Sequence, residues 1–288
     1  MDEAFTIGEV VNGFREALPE ADVYVYDNAS TDLTAEIASS NGAIVRFEPL
    51  KGKGRVLRRM FADIDSDVYV IADGDGTYDP SESPLLVKKL LEERLDMVIG
   101  SRTLISGRTG HKNGNRAFNI IYKWLFGEGF TDIFSGYRVL SRRYVKSFPT
   151  RSTGFEIETE MSVHSSQLSL PVAELPISYG ERQTGSVSKL RTIPDGWRIL
   201  RKMLVLLKDN RPMAFFGFLG ALLSSVSMLL GIPVILDFID TGLVERLPTA
   251  IAATGIAISA LLIFALGVIL DSVARYRIEQ KRLAYLNA

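Results

Sequence analysis

The sequence predicts an α/β domain with a mostly parallel sheet, followed by an amphipathic helix and a C-terminal hairpin of two membrane-spanning helices. Three observations predict this order. Short apolar runs alternate with helical patterns in the first part of the chain, which is typical of parallel strands joined by crossover helices. A basic stretch with helically spaced apolar residues follows, and two long uncharged segments come last. We place these three parts at 1–193, 194–211 and 212–288.

The composition excludes several kinds of site. The chain has 288 residues, no cysteine and two histidines, which rules out disulfides, thiol catalysis and thiolate-bound zinc. A bound metal ion would therefore be held by carboxylates, and Mg²⁺ or Mn²⁺ fits that requirement. The formal net charge is −1, so the charge balance does not indicate nucleic-acid binding.

Two uncharged segments, 212–236 and 249–270, each exceed the roughly 20 residues that a helix needs to cross a bilayer. The alternative is a pair of buried core helices, but charge-free runs of this length are rare there. Basic residues flank the pair on both outer sides, and the connection between the segments holds three acids and one arginine. The positive-inside rule predicts an integral membrane protein whose termini, basic tail and folded domain are cytoplasmic, at the plasma membrane in a prokaryote.

Candidate site residues follow the predicted strands. Asp27 ends the first strand, Lys53 lies in a Gly-Lys-Gly loop after the second, and Asp73-Gly-Asp75 follows the third. Ligands of parallel sheets bind at the carboxyl ends of strands, so we expect these groups to lie together. The predicted strands are 22–27, 43–47, 68–72 and 96–100.

These residue types suit a nucleoside diphosphate. Asp73 and Asp75 could ligate a divalent cation that bridges two phosphates, or they could form an ordinary turn. Lys53 between two glycines suits a phosphate, or it is an exposed loop lysine. Asp27 could accept hydrogen bonds from a base or ribose, or it could start a turn. No Gly-x-Gly-x-x-Gly follows a strand, which argues against a dinucleotide site.

Six motifs occur in order between residues 26 and 189. Together with the membrane hairpin they resemble family 2 glycosyltransferases of the GT-A fold, in particular the dolichol-phosphate mannose synthase and polyprenyl-phosphate glycosyltransferase group. Asn28 and Thr77 stand where the family commonly has an acid and a glutamine. The motifs are Tyr26-Asp-Asn-Ala-Ser-Thr-Asp-Leu-Thr34, Gly52-Lys-Gly54, Asp73-Gly-Asp-Gly-Thr-Tyr-Asp-Pro80, Gly100-Ser-Arg102, Asp132-Ile-Phe-Ser-Gly-Tyr-Arg138 and Arg182-Gln-Thr-Gly-Ser-Val-Ser-Lys189.

The resemblance implies an inverting transfer of a hexose from a UDP- or GDP-sugar to a polyprenyl phosphate, dolichyl or undecaprenyl, with Mg²⁺ or Mn²⁺. It implies metal ligation by Asp73 and Asp75, and catalytic roles for these two residues and Asp132. The implied donor-binding residues are Glu3, Asp27, Lys53, Asp73 and Arg102. The implied acceptor phosphate-binding residues are Arg138, Arg182, Ser186 and Lys189.

The chemistry of such an acceptor agrees with the basic stretch before the hairpin. A polyprenyl phosphate is already ionised, so the protein has to neutralise and align charged groups rather than supply a strong base. The helix predicted at 194–211 carries Trp197 and Leu200 on an apolar stripe with cations beside it, which favours a position on the membrane surface. The alternative is a core-packing helix with a solvated basic face.

Other interpretations stay open. The acceptor could be another membrane glycan or lipid, or the chain could be a catalytically silent membrane scaffold. The sequence leaves homo-oligomerisation, the sugar and the base undecided. Glu158, in an acidic cluster with Glu156 and Glu160, could touch the sugar or the acceptor, or be purely structural.

The N-terminal segment matches only part of the family pattern. Asp2-Glu3-Ala4 resembles the end of a Pro-x-x-Asn-Glu turn, and the apolar strand that precedes this turn in the family is absent. In the family's sheet that strand lies beside the one that ends at Asp27. We therefore expect a shortened start, and a strand at 22–27 that lacks a neighbour on one side.

Overall fold

Strands in the described part of the chain form two sheets. The computed structural model describes residues 1–102, 120, 122–123, 130–180 and 192–288. The first sheet pairs β1 with β2 in parallel, and the second has the order β3-β5-β4-β6. The strands are β1 (Tyr24–Asp27), β2 (Ile44–Phe47), β3 (Val68–Ile71), β4 (Met97–Arg102), β5 (Arg138–Ser141) and β6 (Val172–Ile177).

Three of the four strands of the second sheet point in the same direction, in agreement with the predicted α/β arrangement. Strand β5 runs antiparallel to both β3 and β4, so β3 and β4 point in the same direction. Strand β6 is parallel to β4. The fully buried side chains of Val98, Val139 and Leu140 lie in this sheet. The α/β fold is confirmed, with β5 as an antiparallel insertion.

Strand β1 has a hydrogen-bonded neighbour on one side only among the described residues, and β3 likewise pairs only with β5. Helix α1 (Ile7–Ala17) contacts the cores of both sheets. Ile7 and Val11 pack in the core beside β1 and β2, whereas Phe14 packs edge-on against Tyr137 in the core of the second sheet. Among the described residues, the strand at 22–27 therefore has one hydrogen-bonded neighbour, β2.

Glycine and side-chain caps mark the starts of several of the remaining helices in this domain. Helix α3 starts after Gly52, whose φ of 138° is open to glycine. The Asp79 side chain caps a short 3₁₀ helix by accepting from the Ser81 amide, and Ser141 caps α5 by accepting from Tyr144. The helices are α2 (Thr34–Ser40), α3 (Lys53–Asp63), the 3₁₀ helix (Pro80–Glu82), α4 (Ser83–Glu92), α5 (Arg142–Ser147) and α6 (Ile157–Leu168).

Three helices follow: α7 (Thr192–Asn210), α8 (Pro212–Thr241) and α9 (Leu247–Leu286). The most apolar windows of α8 and α9 are 11% and 17% buried, whereas a core helix of a soluble protein is mostly buried. The two helices therefore have the length, composition and exposure of membrane-spanning helices. They approach closely where residues are small: a Cβ added to Gly220 would lie 3.3 Å from the carbonyl oxygen of Ala260.

The last eight residues, 281–288, belong to the same compact unit as residues 1–203, and residues 204–280 form the other unit. The Tyr285 hydroxyl donates to Oδ2 of Asp96 at 2.8 Å. Nε of Arg143 donates to Oδ1 of Asp96 at 2.6 Å, and its guanidinium lies 5.0 Å from the Tyr285 ring centroid. The Asp96 side chain has no exposed surface. The C-terminal residues thus help to satisfy a buried carboxylate.

We expect Tyr285→Phe to lower the free energy of unfolding by about 1 kcal/mol, because buried Asp96 loses one of its hydrogen bonds. Denaturant unfolding of the full chain in detergent, followed by circular dichroism, measures this change. Tyr276→Phe is the matched control, since Tyr276 is 62% exposed. Equal unfolding midpoints for wild type and Tyr285→Phe would contradict the prediction.

Candidate active site

A partly buried ion-pair cluster lies where β3 ends and α3 begins. Nζ of Lys53 is 2.5 Å from Oδ1 of Asp73 and 2.6 Å from Oε1 of Glu158. Burial alone would lower the pKa of Lys53, but the charges of Asp73 and Glu158 raise it well above its usual value. Burial raises the pKa of Glu158, and the Lys53 charge opposes that effect. The predicted proximity of Lys53 and Asp73 is confirmed, and α6 adds Glu158.

The glycines of two motifs allow the backbone to approach this cluster. A Cβ added to Gly52 would lie 2.1 Å from the Thr153 carbonyl oxygen, and one on Gly54 would lie 2.2 Å from that of Ser152. A Cβ on Gly136 would lie 2.8 Å from both Oδ2 of Asp73 and Nζ of Lys53. No side chain fits against the backbone at the distances found for Gly52 and Gly54, so this loop needs glycine in order to position Lys53, whereas a Cβ at Gly136 would displace the ends of the Asp73 and Lys53 side chains.

Asp75 lies in the turn after β3 and is 4% exposed. Its Oδ1 accepts hydrogen bonds from the amide of Thr77 at 3.2 Å and from Oγ1 of Thr77 at 2.6 Å. Thr77, which stands where the family commonly has glutamine, therefore orients Asp75 rather than pointing an amide at a ligand. This contact is a feature that the sequence alone did not reveal.

The carboxylates of Asp73 and Asp75 fit a hard divalent cation. In the described part of the chain no group of three or more His, Cys, Asp or Glu side chains is placed to hold a metal ion. Mg²⁺ sites that bind phosphates commonly use only one or two carboxylates, and the substrate supplies further oxygen ligands. The carboxylates of Asp73 and Asp75 therefore suit a cation that is bound together with a diphosphate.

Arg102 and Asp132 form a bidentate ion pair with each other. Nε and Nη2 of Arg102 donate to Oδ2 and Oδ1 of Asp132, each at 2.7 Å, and the two side chains are 22% and 12% exposed. Burial opposes ionisation of Asp132, but the hydrogen bonds and charge of Arg102 bring the pKa of Asp132 below its usual value. The predicted donor-binding and catalytic roles of this pair stay predictions, and in the structure Arg102 fixes Asp132.

Arg138 lies in the core and is 1% exposed. Its Nε donates to the Ser135 carbonyl at 2.9 Å, its Nη2 to the Ile133 carbonyl at 2.9 Å, and both Nη atoms to Oγ of Ser162 at 3.2 Å. This is a correction to the predicted contact with the acceptor phosphate, because the guanidinium is enclosed and its donors are engaged by the protein. Arg138 instead holds the turn that follows Asp132.

Asp27, at the end of β1, is 6% exposed. Oδ2 of Asp27 accepts from the Ser30 amide at 3.2 Å, while Oδ1 is buried with no hydrogen-bond partner among the described residues. An oxygen in this position can accept a hydrogen bond from a ligand. The Glu3 amide donates to Oγ1 of Thr34 at 2.9 Å, which ties the N-terminal segment to the start of α2, and the predicted donor-binding role of Glu3 stays a prediction.

Asn28 ties β1 to the glycine loop. Its side-chain amide donates to the carbonyl oxygens of Glu48 and Leu50, each at 2.9 Å, and its Oδ1 accepts from the Gly52 amide at 2.7 Å. A carboxylate could not donate these two bonds. The asparagine that departs from the family's usual acid therefore positions the loop that carries Lys53.

The remaining predicted contacts to the acceptor fall on Arg182, Ser186 and Lys189, which lie outside the described residues. Their roles stay predictions.

Comparison with known proteins identifies the family of the chain. The family model "Glycosyl transferase family 2" matches residues 2–153. Glycosyltransferase AglJ of Haloferax volcanii is 31% identical over 292 residues, covering 99% of this chain and 95% of AglJ. An undecaprenyl-phosphate mannosyltransferase of Micrococcus luteus is 29% identical over 188 residues, covering 59% of this chain and 76% of that protein.

Solved structures show the same fold. Glucosyl-3-phosphoglycerate synthase from Mycobacterium tuberculosis, crystallised with Mn²⁺ and UDP-glucose, superposes with a TM-score of 0.57 at 23% identity. The superposition covers 72% of this chain and 75% of the synthase, and it confirms the predicted GT-A fold. With the ordered motifs, the family match and the full-length similarity to AglJ, this chain belongs to glycosyl transferase family 2.

Proposed function

We propose that this glycosyltransferase moves a hexose from a UDP- or GDP-sugar to a polyprenyl phosphate, with inversion at the anomeric carbon. The observation that carries the proposal is the cluster of Lys53, Asp73 and Glu158 at the carboxyl end of β3, in a chain that also has two exposed apolar helices of membrane-spanning length. The similarity to an undecaprenyl-phosphate mannosyltransferase supports a lipid phosphate as acceptor and a hexose as the transferred group.

The donor end of the site is built for a diphosphate. Asp73 and Asp75 would hold Mg²⁺ or Mn²⁺, which neutralises the charge of the leaving nucleoside diphosphate when bound. Oδ1 of Asp27, which has no hydrogen-bond partner among the described residues, would accept a hydrogen bond from the ribose or the base. The neighbour crystallised with Mn²⁺ and UDP-glucose supports this arrangement.

The acceptor supplies its own nucleophile. A phosphate oxygen of the lipid attacks the anomeric carbon, the bond from that carbon to the diphosphate oxygen breaks, and the diphosphate leaves with the bonding electrons. No proton has to be removed, so the reaction does not need Asp132 as a strong base, and Asp132 is already paired with Arg102. The protein's task is to hold two anions in line.

Membrane anchoring would bring the site to its lipid substrate. Helix α7 exposes Trp197 by 67% and Leu204 by 45%, and Arg201 on the same helix is also exposed. Exposed aromatic and basic side chains on one helix suit the interface between lipid and water. The positive-inside rule places this helix and the catalytic domain on the cytoplasmic side.

A direct assay tests the proposal. The purified full chain in detergent with Mn²⁺ is given UDP-glucose, UDP-N-acetylglucosamine or GDP-mannose, each with and without undecaprenyl phosphate. We expect one donor to yield a glycosylated lipid phosphate, which mass spectrometry detects. Release of the nucleoside diphosphate should require undecaprenyl phosphate. If the sugar is transferred to a different membrane lipid or glycan, that molecule replaces the proposed acceptor. If the chain shows neither turnover nor nucleotide binding, the result favours a silent scaffold.

We also expect Arg182→Gln and Lys189→Gln to raise KM for undecaprenyl phosphate by at least about tenfold, because each removes a charge-assisted contact to the acceptor phosphate. Calorimetric binding of the nucleoside diphosphate should be unchanged in both variants. Lys88→Gln, which alters an exposed lysine on α4, is the control for loss of charge alone. An equal loss of diphosphate affinity would assign the two residues to the donor instead.

A further inference from the structure

Glu158 has a carboxylate oxygen that nothing in the described part of the protein engages. The residue lies in the first turn of α6 and is 5% exposed. Its Oε1 is 2.6 Å from Nζ of Lys53, whereas its Oε2 is buried without a hydrogen-bond partner among the described residues. Such an oxygen is costly to leave unsatisfied, so its presence needs an explanation.

The neighbouring acids on the same helix differ from Glu158. Both oxygens of Glu160 accept hydrogen bonds from residues 151 and 152, at 3.1 Å from the Arg151 amide and 2.7 Å from the Ser152 amide. Glu156 accepts from the Gly154 amide at 3.2 Å. These two glutamates hold the loop that packs on the glycines flanking Lys53. Glu158 has no comparable structural use for its second oxygen.

The position of Glu158 relative to Asp73 indicates which part of a donor it would meet. Oε1 of Glu158 and Oδ1 of Asp73 both lie within 2.6 Å of the same nitrogen, so they are at most about 5 Å apart. In the proposed function Asp73 holds the diphosphate end of the donor through a cation. That diphosphate joins the nucleoside, which the proposed function assigns to Asp27, to the sugar, and the sugar would lie next to Glu158.

The charges of the two substrates also favour contact between Glu158 and the sugar. The donor diphosphate and the acceptor phosphate are anions, which a carboxylate repels. The sugar is neutral and carries hydroxyl groups, which donate strong hydrogen bonds to a carboxylate. We propose that Glu158 determines donor specificity by accepting a hydrogen bond from a sugar hydroxyl through Oε2, while Lys53 fixes Oε1. This inference rests on the proposed function, because it takes the donor to be a nucleotide sugar.

Two probes test the inference on the full chain in detergent with Mn²⁺. They are the nucleotide sugar that the wild-type protein uses and the matching nucleoside diphosphate, UDP or GDP. We expect Glu158→Gln to weaken binding of the nucleotide sugar by about 10- to 100-fold, because this is the usual contribution of a hydrogen bond to a charged group. Binding of the diphosphate should stay within about twofold, which also shows that the variant is folded.

Donor analogues that lack one hydroxyl sharpen the test. The wild-type protein should discriminate strongly against one deoxy sugar, and Glu158→Gln should lose that discrimination, because a buried group built to bind a hydroxyl rejects the analogue without it. Glu156→Gln is the matched control, since Glu156 lies at the start of the same helix but is bonded to its own loop. This control should keep the wild-type discrimination.

Two results would overturn the inference. One is equal weakening of diphosphate and nucleotide sugar by Glu158→Gln, which would mean that Glu158 acts only by holding Lys53. The other is a variant that keeps the full preference of the wild type among deoxy donors. Failure of the proposed function is seen separately: a wild-type protein that binds the nucleotide sugar but does not glycosylate undecaprenyl phosphate contradicts the acceptor, while the binding comparison still decides the role of Glu158.

Discussion

Asp75→Asn is expected to lower hexose transfer by at least about a thousandfold, because the leaving diphosphate then lacks a cation held by two carboxylates. Asparagine keeps the size of the side chain and can still accept the hydrogen bonds from Thr77, so the turn should fold unchanged. The rate of transfer to undecaprenyl phosphate at saturating donor, measured across a Mn²⁺ titration, gives the effect. Excess Mn²⁺ should not restore the wild-type rate.

The control for this variant lies in the same segment. Asp79→Asn changes an acid whose Oδ1 accepts from the Ser81 amide at 2.9 Å, and it should leave the transfer rate within about twofold of wild type, since surface changes of this kind are usually small. A near-normal rate for Asp75→Asn, or full wild-type activity in excess chelator, would remove the role of Asp75 in holding a metal ion.

Sequence patterns predicted β1 to β4. The segments 22–27, 43–47, 68–72 and 96–100 contain these four strands, because each segment is a short run rich in apolar residues that hydropathy identifies. Strand β5 was not predicted, since it begins with Arg138. A buried arginine breaks the hydropathy pattern, and the carbonyl groups that satisfy it become available only once residues 133–135 form their turn.

The site was predictable where it depends on strand ends and unpredictable where it depends on packing. Lys53 and Asp73 each follow a predicted strand and lie together as expected, although the strands that they follow, β2 and β3, belong to different sheets. Glu158 comes from a helix much later in the chain, and no spacing rule links it to Lys53. The available signal was the pair of glycines beside Lys53, which admits the backbone of residues 152 and 153 just before α6.

The pairing of Arg102 with Asp132 also depends on tertiary structure, and breaking it should have a large effect on stability. Arg102→Met should lower the free energy of unfolding by about 3–5 kcal/mol at neutral pH, because it leaves a buried carboxylate without its partner. The double variant Arg102→Met/Asp132→Asn should recover much of this loss. Urea unfolding of the four proteins in a double-mutant cycle gives the coupling energy.

The pH dependence distinguishes a charge effect from a packing effect. In the wild type Arg102 keeps the pKa of Asp132 below its usual value, so the pair stabilises the protein above the unfolded pKa of Asp132 and this contribution is lost as the pH falls through the folded pKa. In Arg102→Met the guanidinium no longer lowers the pKa of Asp132, and burial, which raises this pKa, is opposed only by the backbone hydrogen bonds from residues 102 and 134. The loss in free energy of unfolding caused by Arg102→Met should therefore be largest near neutral pH, and it should shrink as Asp132 takes up a proton in acid.

An exposed pair of the same geometry provides the comparison. Arg142 contacts Asp65 through Nε at 3.2 Å and Nη2 at 3.1 Å, and these side chains are 45% and 59% exposed. Solvent screens such a pair, so the cycle with Arg142→Met and Asp65→Asn should show a far smaller coupling energy. Two results would mean that Arg102 stabilises the domain by packing and not through its charge on Asp132. One is an equal coupling energy in the two cycles, and the other is a loss of stability in Arg102→Met that does not change with pH.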